Sequence, residues 1–293
     1  MSLKSTNKEL SALVSLIDEP NEEIFHSIRE KIAGYGIEAV PLLEDAWLNV
    51  LNEEYTKRIE ELIDEIRMDD LYFELVNWAN FYSNDLIKAF IILSKYRYPD
   101  LDEEKYLQKF DKLKRDAWLE INDHLTALEK VKVLNHIFYN IHQFRGLRPK
   151  KENIQAFFIN EVMDTHRGNA MSLGILYIAV AQKLQVPVFG VDLLKHFILV
   201  YMDDSLALRT AENYTEDDVL FYINALNKGA VFTKREINQY ITQMDIHSKD
   251  EYFLPGSNTS IIKRFIEEMS SAYAQDNQLK KAEELIGLLK ALD

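Results

Sequence analysis

Residues 166–201, HRGNAMSLGILYIAVAQKLQVPVFGVDLLKHFILVY, constrain the fold of this chain more than any other stretch. Arg167-Gly168-Asn169 marks a turn. Met171 to Leu184 then has helical spacing: Leu173, Leu176, Tyr177, Val180, Ala181 and Leu184 form one broad stripe, and Ile175, Ile178 and Ala179 fill most of the remaining surface. A helix that is apolar nearly all round is buried on most sides, so it must be the central helix of its domain. Gln185-Val186-Pro187 ends it. Val188–Val191 and Phe197–Tyr201 are rich in β-branched and aromatic residues and predict strands, the second opening on His196. Asp203-Asp204-Ser205 predicts a hairpin turn into a further strand over Leu206–Arg209, which makes the sheet antiparallel.

The rest of the chain is mainly helical in pattern. Only 9 glycines and 6 prolines occur in 293 residues, which favours helices over a turn-rich β architecture. The rows Leu10/Leu13/Leu16/Ile17 and Ile24/Ile28/Ile32, separated by Asp18-Glu19-Pro20-Asn21, predict a helical pair, and Pro41 opens a third helix with Leu42, Leu43 and Trp47 on its apolar side. This stretch resembles a single HEAT-type unit, which would have to bury its apolar face on a neighbour. Ile59–Ile66, Leu71–Phe81, Leu86–Tyr98, Lys105–Ile121 and Ala127–Gln143 add further helices, and Ala156–Asp164 a short one. Phe221–Ile223 and Ala230–Phe232 predict short strands around Asn227-Lys228-Gly229, followed by a helix over Lys234–Met244. The tail divides into two helices about Gln275–Gln278 and resembles one tetratricopeptide unit, best suited to a closing hairpin.

Charge and cysteine usage limit the function. A net charge of −14 repels phosphate backbones, and nucleic acid is excluded as the main partner. There is no apolar run long enough to span a membrane. The chain contains no cysteine, so disulfides and thiolate metal sites are excluded. With no targeting signal in MSLKSTNKEL, a cytoplasmic setting is expected.

Phe158-Ile159-Asn160-Glu161-Val162, Arg167-Gly168-Asn169, Ser172-Leu173, YIAVAQKLQVPVFGVDL and His196-Phe197, with FYINALNKGAVFTKREI further on, occur in an order that resembles the SirB-type branch of the bacterial transglutaminase-like proteins. The resemblance implies an α+β, predominantly helical chain. A transglutaminase/papain-like core with a small antiparallel sheet would occupy 146–250, preceded by a helical region over 1–145 and followed by a tetratricopeptide-like hairpin over 251–293. In such a core a cysteine at a helix N-terminus is acidified by the helix and a neighbouring histidine, the histidine takes the proton, and a third polar group orients it. On that pattern the nucleophile falls about 17 residues before the proline after the central helix, which is Ala170 here. The base matches His196. The orienting position matches Asn224, where transglutaminases carry aspartate.

The resemblance therefore implies a catalytically inactive member that binds another protein and needs no cofactor or metal. The alternative is an amide hydrolase or acyltransferase that uses Ser172, or a bound water or metal, with His196. Two residues along a helix are about 200° of rotation, which turns Ser172 away from the Ala170 direction. A purely structural helical-repeat adaptor is a third reading. Asn169 is placed to cap the central helix. Arg167 suits a surface ion pair, or an anion at the helix N-terminus. His166, Asp192 and His196 lack the spacing of a recognised metal set. Arg145, Arg148, Lys150 and Lys151 make a local basic loop.

Overall fold

A computed structural model describes residues 3–49, 52–147, 154–193, 196–203, 214–243 and 252–293. The chain packs as two compact units, residues 1–74 and 75–293. The expected strand over Leu206–Arg209 lies outside the described residues. No helix among the described residues is long and apolar enough to cross a membrane.

The first unit holds α1 (Leu3–Val14), α2 (Glu22–Ala33), α3 (Val40–Asn49) and the start of α4 (Glu53–Phe81). Asn21 caps α2 by accepting from the backbone N–H groups of Glu23 and Ile24. The core of the unit joins Leu10, Val14, Ile28, Ile32, Leu43, Leu62 and Ile66. Three positions differ from the sequence-based pattern. Leu16 is 49% exposed because α1 ends at Val14, so the helical register no longer applies to it. Ile24 and Trp47 also face outward, while their neighbours Ile28 and Leu43 are buried. The rows Ile59–Ile66 and Leu71–Phe81, read as separate helices, belong to the single helix α4.

The second unit is built around one helix. Helices α5 (Leu86–Lys95), α6 (Glu103–Trp118), α7 (Ala127–Asn135) and α8 (Ile159–Thr165) precede the central α9 (Ala170–Lys183). A single turn of wider helix, His136–Ile141, extends α7. Strands β1 (Arg145–Gly146) and β2 (Arg167–Gly168) form a short parallel pair. Strands β3 (Val188–Leu193), β4 (His196–Met202), β5 (Val219–Asn224) and β6 (Ala230–Phe232) form an antiparallel sheet in sequence order. Then come α10 (Lys234–Gln243), α11 (Asn258–Gln275) and α12 (Leu279–Gly287). As the composition of α9 demands, every residue from Met171 to Ala181 is buried.

Side chains alternate across the sheet, and its two faces bury different partners. One face carries Val191, Ile198, Val200 and Tyr222 and packs on Ile237 and Ile241 of α10. The other face receives α9 and α11. There the Phe197 ring lies between α9 and β3. A Cβ on Gly174 would meet the ring at 2.5 Å, and one on Gly190 would meet it at 2.7 Å. Only hydrogen at these two positions leaves room for the ring. Phe197 is 7% exposed, and burial of such a ring stabilises by about 1.5–3 kcal/mol.

A polar network fixes the other end of the sheet. Asn135 Nδ2 donates to Gly229 O at 2.9 Å, and the buried Tyr177 hydroxyl donates to Asn135 Oδ1 at 3.0 Å. The Tyr139 hydroxyl donates to Ala225 O at 2.8 Å. Burial pushes the Tyr139 and Tyr177 phenols well above their ordinary range, so both remain donors at any physiological pH. Gly229 has φ +68° and sits against Asn135, so the β5–β6 turn needs glycine for both its backbone and its contact.

Replacing Gly174 with valine should lower stability by about 1–3 kcal/mol through overpacking of the Phe197 ring. Urea denaturation measures this. Phe197→Leu in the same chain should recover part of the loss, and an unchanged midpoint in the single variant would contradict the packing described.

Candidate functional site

A cavity of about 370 Å³ opens where β3 ends, β4 begins and β5 ends. Ala170, His196 and Asn224 all line it. Residues 26 to 54 positions apart thus converge because α9 starts, β4 starts and β5 stops at the same end of the sheet. The Phe197 slot sets this register, since Gly174 lies one helical turn beyond Ala170 and Phe197 directly follows His196.

Each of the three has a local structural reason for its place. Ala170 is the first residue of α9 and is half-buried. Asn169 caps the helix: its Oδ1 accepts from Ser172 N at 2.8 Å, and Ser172 Oγ accepts from Asn169 N at 3.0 Å. This reciprocal pair satisfies the end of the helix, where the backbone dipole is positive. His196 is exposed and meets the Tyr240 ring edge-on, with centroids 5.3 Å apart. Asn224 Oδ1 accepts from Asn227 N at 3.0 Å. That bond commits the amide oxygen to the turn and leaves its NH2 as the group available to the cavity.

Ser172 does not line this cavity. It is fully buried, and its hydroxyl is held in the Asn169 cap beneath Gly168, where a Cβ would meet Ser172 Oγ at 2.6 Å. His166, Asp192 and His196 are not brought together either. Asp192 pairs in register with Phe197, on the opposite face from His196, and lies 3.7 Å from Arg264 Nε. His166 packs on Phe144 and lines a different cavity. Arg145 and Arg167 are cross-strand neighbours in the β1–β2 pair, while Arg148, Lys150 and Lys151 lie outside the described residues.

Two polar side chains of the cavity escaped the sequence reading. Glu236 and Tyr240, one turn apart on α10, face it with Ile237. Glu236 Oε2 accepts from Thr233 N at 2.7 Å and Thr233 Oγ1 at 2.9 Å. These bonds, the backbone one foremost, hold the carboxyl below its ordinary pKa of 4.5. The capping pattern Thr233-x-x-Glu236 was the available signal, but helical spacing alone does not say which face meets the sheet. Leu193, Phe197, Ile198, Leu226, Phe232 and Ile237 supply the rest of the wall. The site is an apolar pocket with a few polar groups, His196, Asn224, Glu236 and the Tyr240 hydroxyl, in the size range of small-ligand or side-chain pockets.

A sequence model of the transglutaminase-like superfamily matches residues 104–267, more than half of the chain. The chain belongs to the transglutaminase-like superfamily. It is similar to a UPF0162 protein of Xylella fastidiosa strain 9a5c, with 22% identity over 206 residues, 67% of this chain and 68% of that protein. The UPF0162 protein of strain Temecula1 is 22% identical over 219 residues, 70% of this chain and 72% of that protein. F-box only protein 21 of Mus musculus is 30% identical over 111 residues, 38% of this chain but 17% of that protein. No solved structure matches the chain. The helical α+β architecture is that of a transglutaminase-like domain.

The Glu236 cap has a pH signature. Its folded pKa is depressed, so the cap stabilises the fold above the unfolded carboxyl pKa and is lost as pH falls through the folded value. Glu236→Gln should therefore be less stable than wild type at pH 7, and the gap should shrink below pH 4.5, as thermal melts across that range would record. A gap that is independent of pH would contradict a charged cap.

Proposed function

We propose that this chain is a catalytically inactive, cytoplasmic, SirB-type transglutaminase-like protein that binds a segment of another protein in the cleft where a thiol would act. The observation that carries this reading is Ala170. It stands at the N-terminus of the central helix, shares a cavity with His196 and Asn224, and belongs to a chain with no cysteine. A methyl group cannot attack a carbonyl, whereas the rest of the cavity is suited to holding a ligand. Its wall favours an apolar side chain, and His196, Asn224 and Glu236 offer hydrogen bonds to a backbone alongside it. In the same proposal the functional layout is a helical region over 1–145, the core over 146–250 and a tetratricopeptide-like hairpin over 251–293. The helical surfaces would widen the binding area.

The alternative enzyme on Ser172 has less support, because that hydroxyl is committed to the Asn169 cap. Asn224 in place of an aspartate also weakens a base role for His196. An amide can orient an imidazole, but it adds no charge to stabilise an imidazolium.

Ala170→Cys tests the reading. A cysteine there should be acidified by the helix N-terminus and His196, to below the free-thiol value of about 8.5. It should alkylate with iodoacetamide at pH 7 about tenfold faster than Ser11→Cys on the surface, and His196→Ala should remove the excess. Equal rates for the two cysteines would overturn the idea of a cleft derived from a thiol site.

A further inference from the structure

A second cavity, of about 520 Å³, shares no lining residue with the first. It gathers Lys112 and Asp116 from α6, His142, Arg145 from β1, and His166 and Arg167 at β2. In a chain of net charge −14 this is a locally positive surface: three fixed cations face one carboxylate, a balance of +3 − 1 = +2 with both histidines neutral.

The arrangement is built into the backbone. Arg145 and Arg167 are direct partners in the parallel pair, which holds the two guanidinium stems side by side. Arg145 N donates to His166 O at 2.8 Å, and Leu147 N to Gly168 O at 2.8 Å. His166 adopts a left-handed conformation, φ 56°, which brings the chain from α8 into β2. The buried Phe144 ring lies between the two imidazoles, 6.4 Å from His142 and 5.2 Å from His166. His142 Nε2 and Asp116 Oδ2 are 2.8 Å apart, so the single carboxylate of the cavity already has a partner.

What the cluster lacks is an acceptor. Among the described residues no carboxylate pairs with Lys112, Arg145 or Arg167. His166 Nδ1 is buried without any hydrogen-bond partner. Adjacent unpaired cations repel one another, and a buried polar nitrogen without a partner costs about 1–3 kcal/mol. The repulsion is relieved by an oxyanion that takes the two guanidinium forks and the lysine. We infer that this cavity binds a dianionic phosphate group, as carried by a phosphate monoester. Its −2 charge balances the +2 of the site, and its oxygens match two arginine forks.

The test is a phosphorus-31 NMR titration of inorganic phosphate against the full chain at constant ionic strength, with phosphoserine and a nucleoside monophosphate as further arms. Saturable one-site binding is expected. Arg145→Gln/Arg167→Gln should weaken it about tenfold or more, the cost of losing charge-assisted hydrogen bonds. The surface substitution Lys57→Gln should leave it unchanged. The arm that binds most tightly identifies whether the phosphate comes free, on a protein side chain or on a nucleotide. Circular dichroism checks that the double variant is folded, and Lys112→Gln gives the same reading if it is not. Absence of saturation in all three arms, or equal affinity in wild type and the arginine or lysine variants, would overturn the assignment.

Discussion

The Phe197 ring between Gly174 and Gly190 is the contact on which the second unit depends. It joins the central helix to the sheet and fixes their register at the end that carries the cavity. If the helix moved by one turn, Ala170 would leave the cavity, and a slip of one residue in β4 would turn His196 to the other face. The two glycines do not serve the backbone here. They clear a slot for one ring, and the ring locates two residues that are 26 positions apart in the chain.

The opposite side of the cavity depends on hydrogen bonds rather than on shape. Asn135, Tyr139 and Tyr177 hold the β5–β6 turn from beneath, and Asn224 Oδ1 closes that turn from within. Both devices bring Ala170, His196 and Asn224 to one cavity. Two side chains from α10 close the pocket: Glu236, whose carboxylate is occupied by its own helix cap, and Tyr240, whose ring edge meets His196. The result is an apolar pocket that carries a few polar groups.

Much of this was legible in the residues themselves. The expected central helix, Met171–Leu184, differs from α9 by one residue at each end, because nearly every side chain in it is apolar and a wholly buried helix leaves little ambiguity. The strands after Pro187 followed from their β-branched and aromatic content. The side of each peripheral helix that faces inward was less legible. Leu16, Ile24 and Trp47 obey helical spacing yet point outward, because spacing defines a stripe without saying where the stripe ends. For the same reason helical spacing does not single out Glu236 and Tyr240, and it does not show that Leu71–Phe81 continues the helix before it. The pairing of Arg145 with Arg167 was also invisible, since a parallel pair of two residues each leaves no periodic trace.

The central claim is geometric: the Ala170 methyl and the His196 ring border one cavity. Its most direct test is a nuclear Overhauser experiment on the wild-type chain with carbon-13 labelled alanine methyl groups. The account predicts a cross-peak between the Ala170 methyl and the His196 ring protons, lost in His196→Ala while the other alanine methyl signals keep their positions. An Ala170 methyl with cross-peaks only to helix neighbours, and none to the His196 ring, would contradict it.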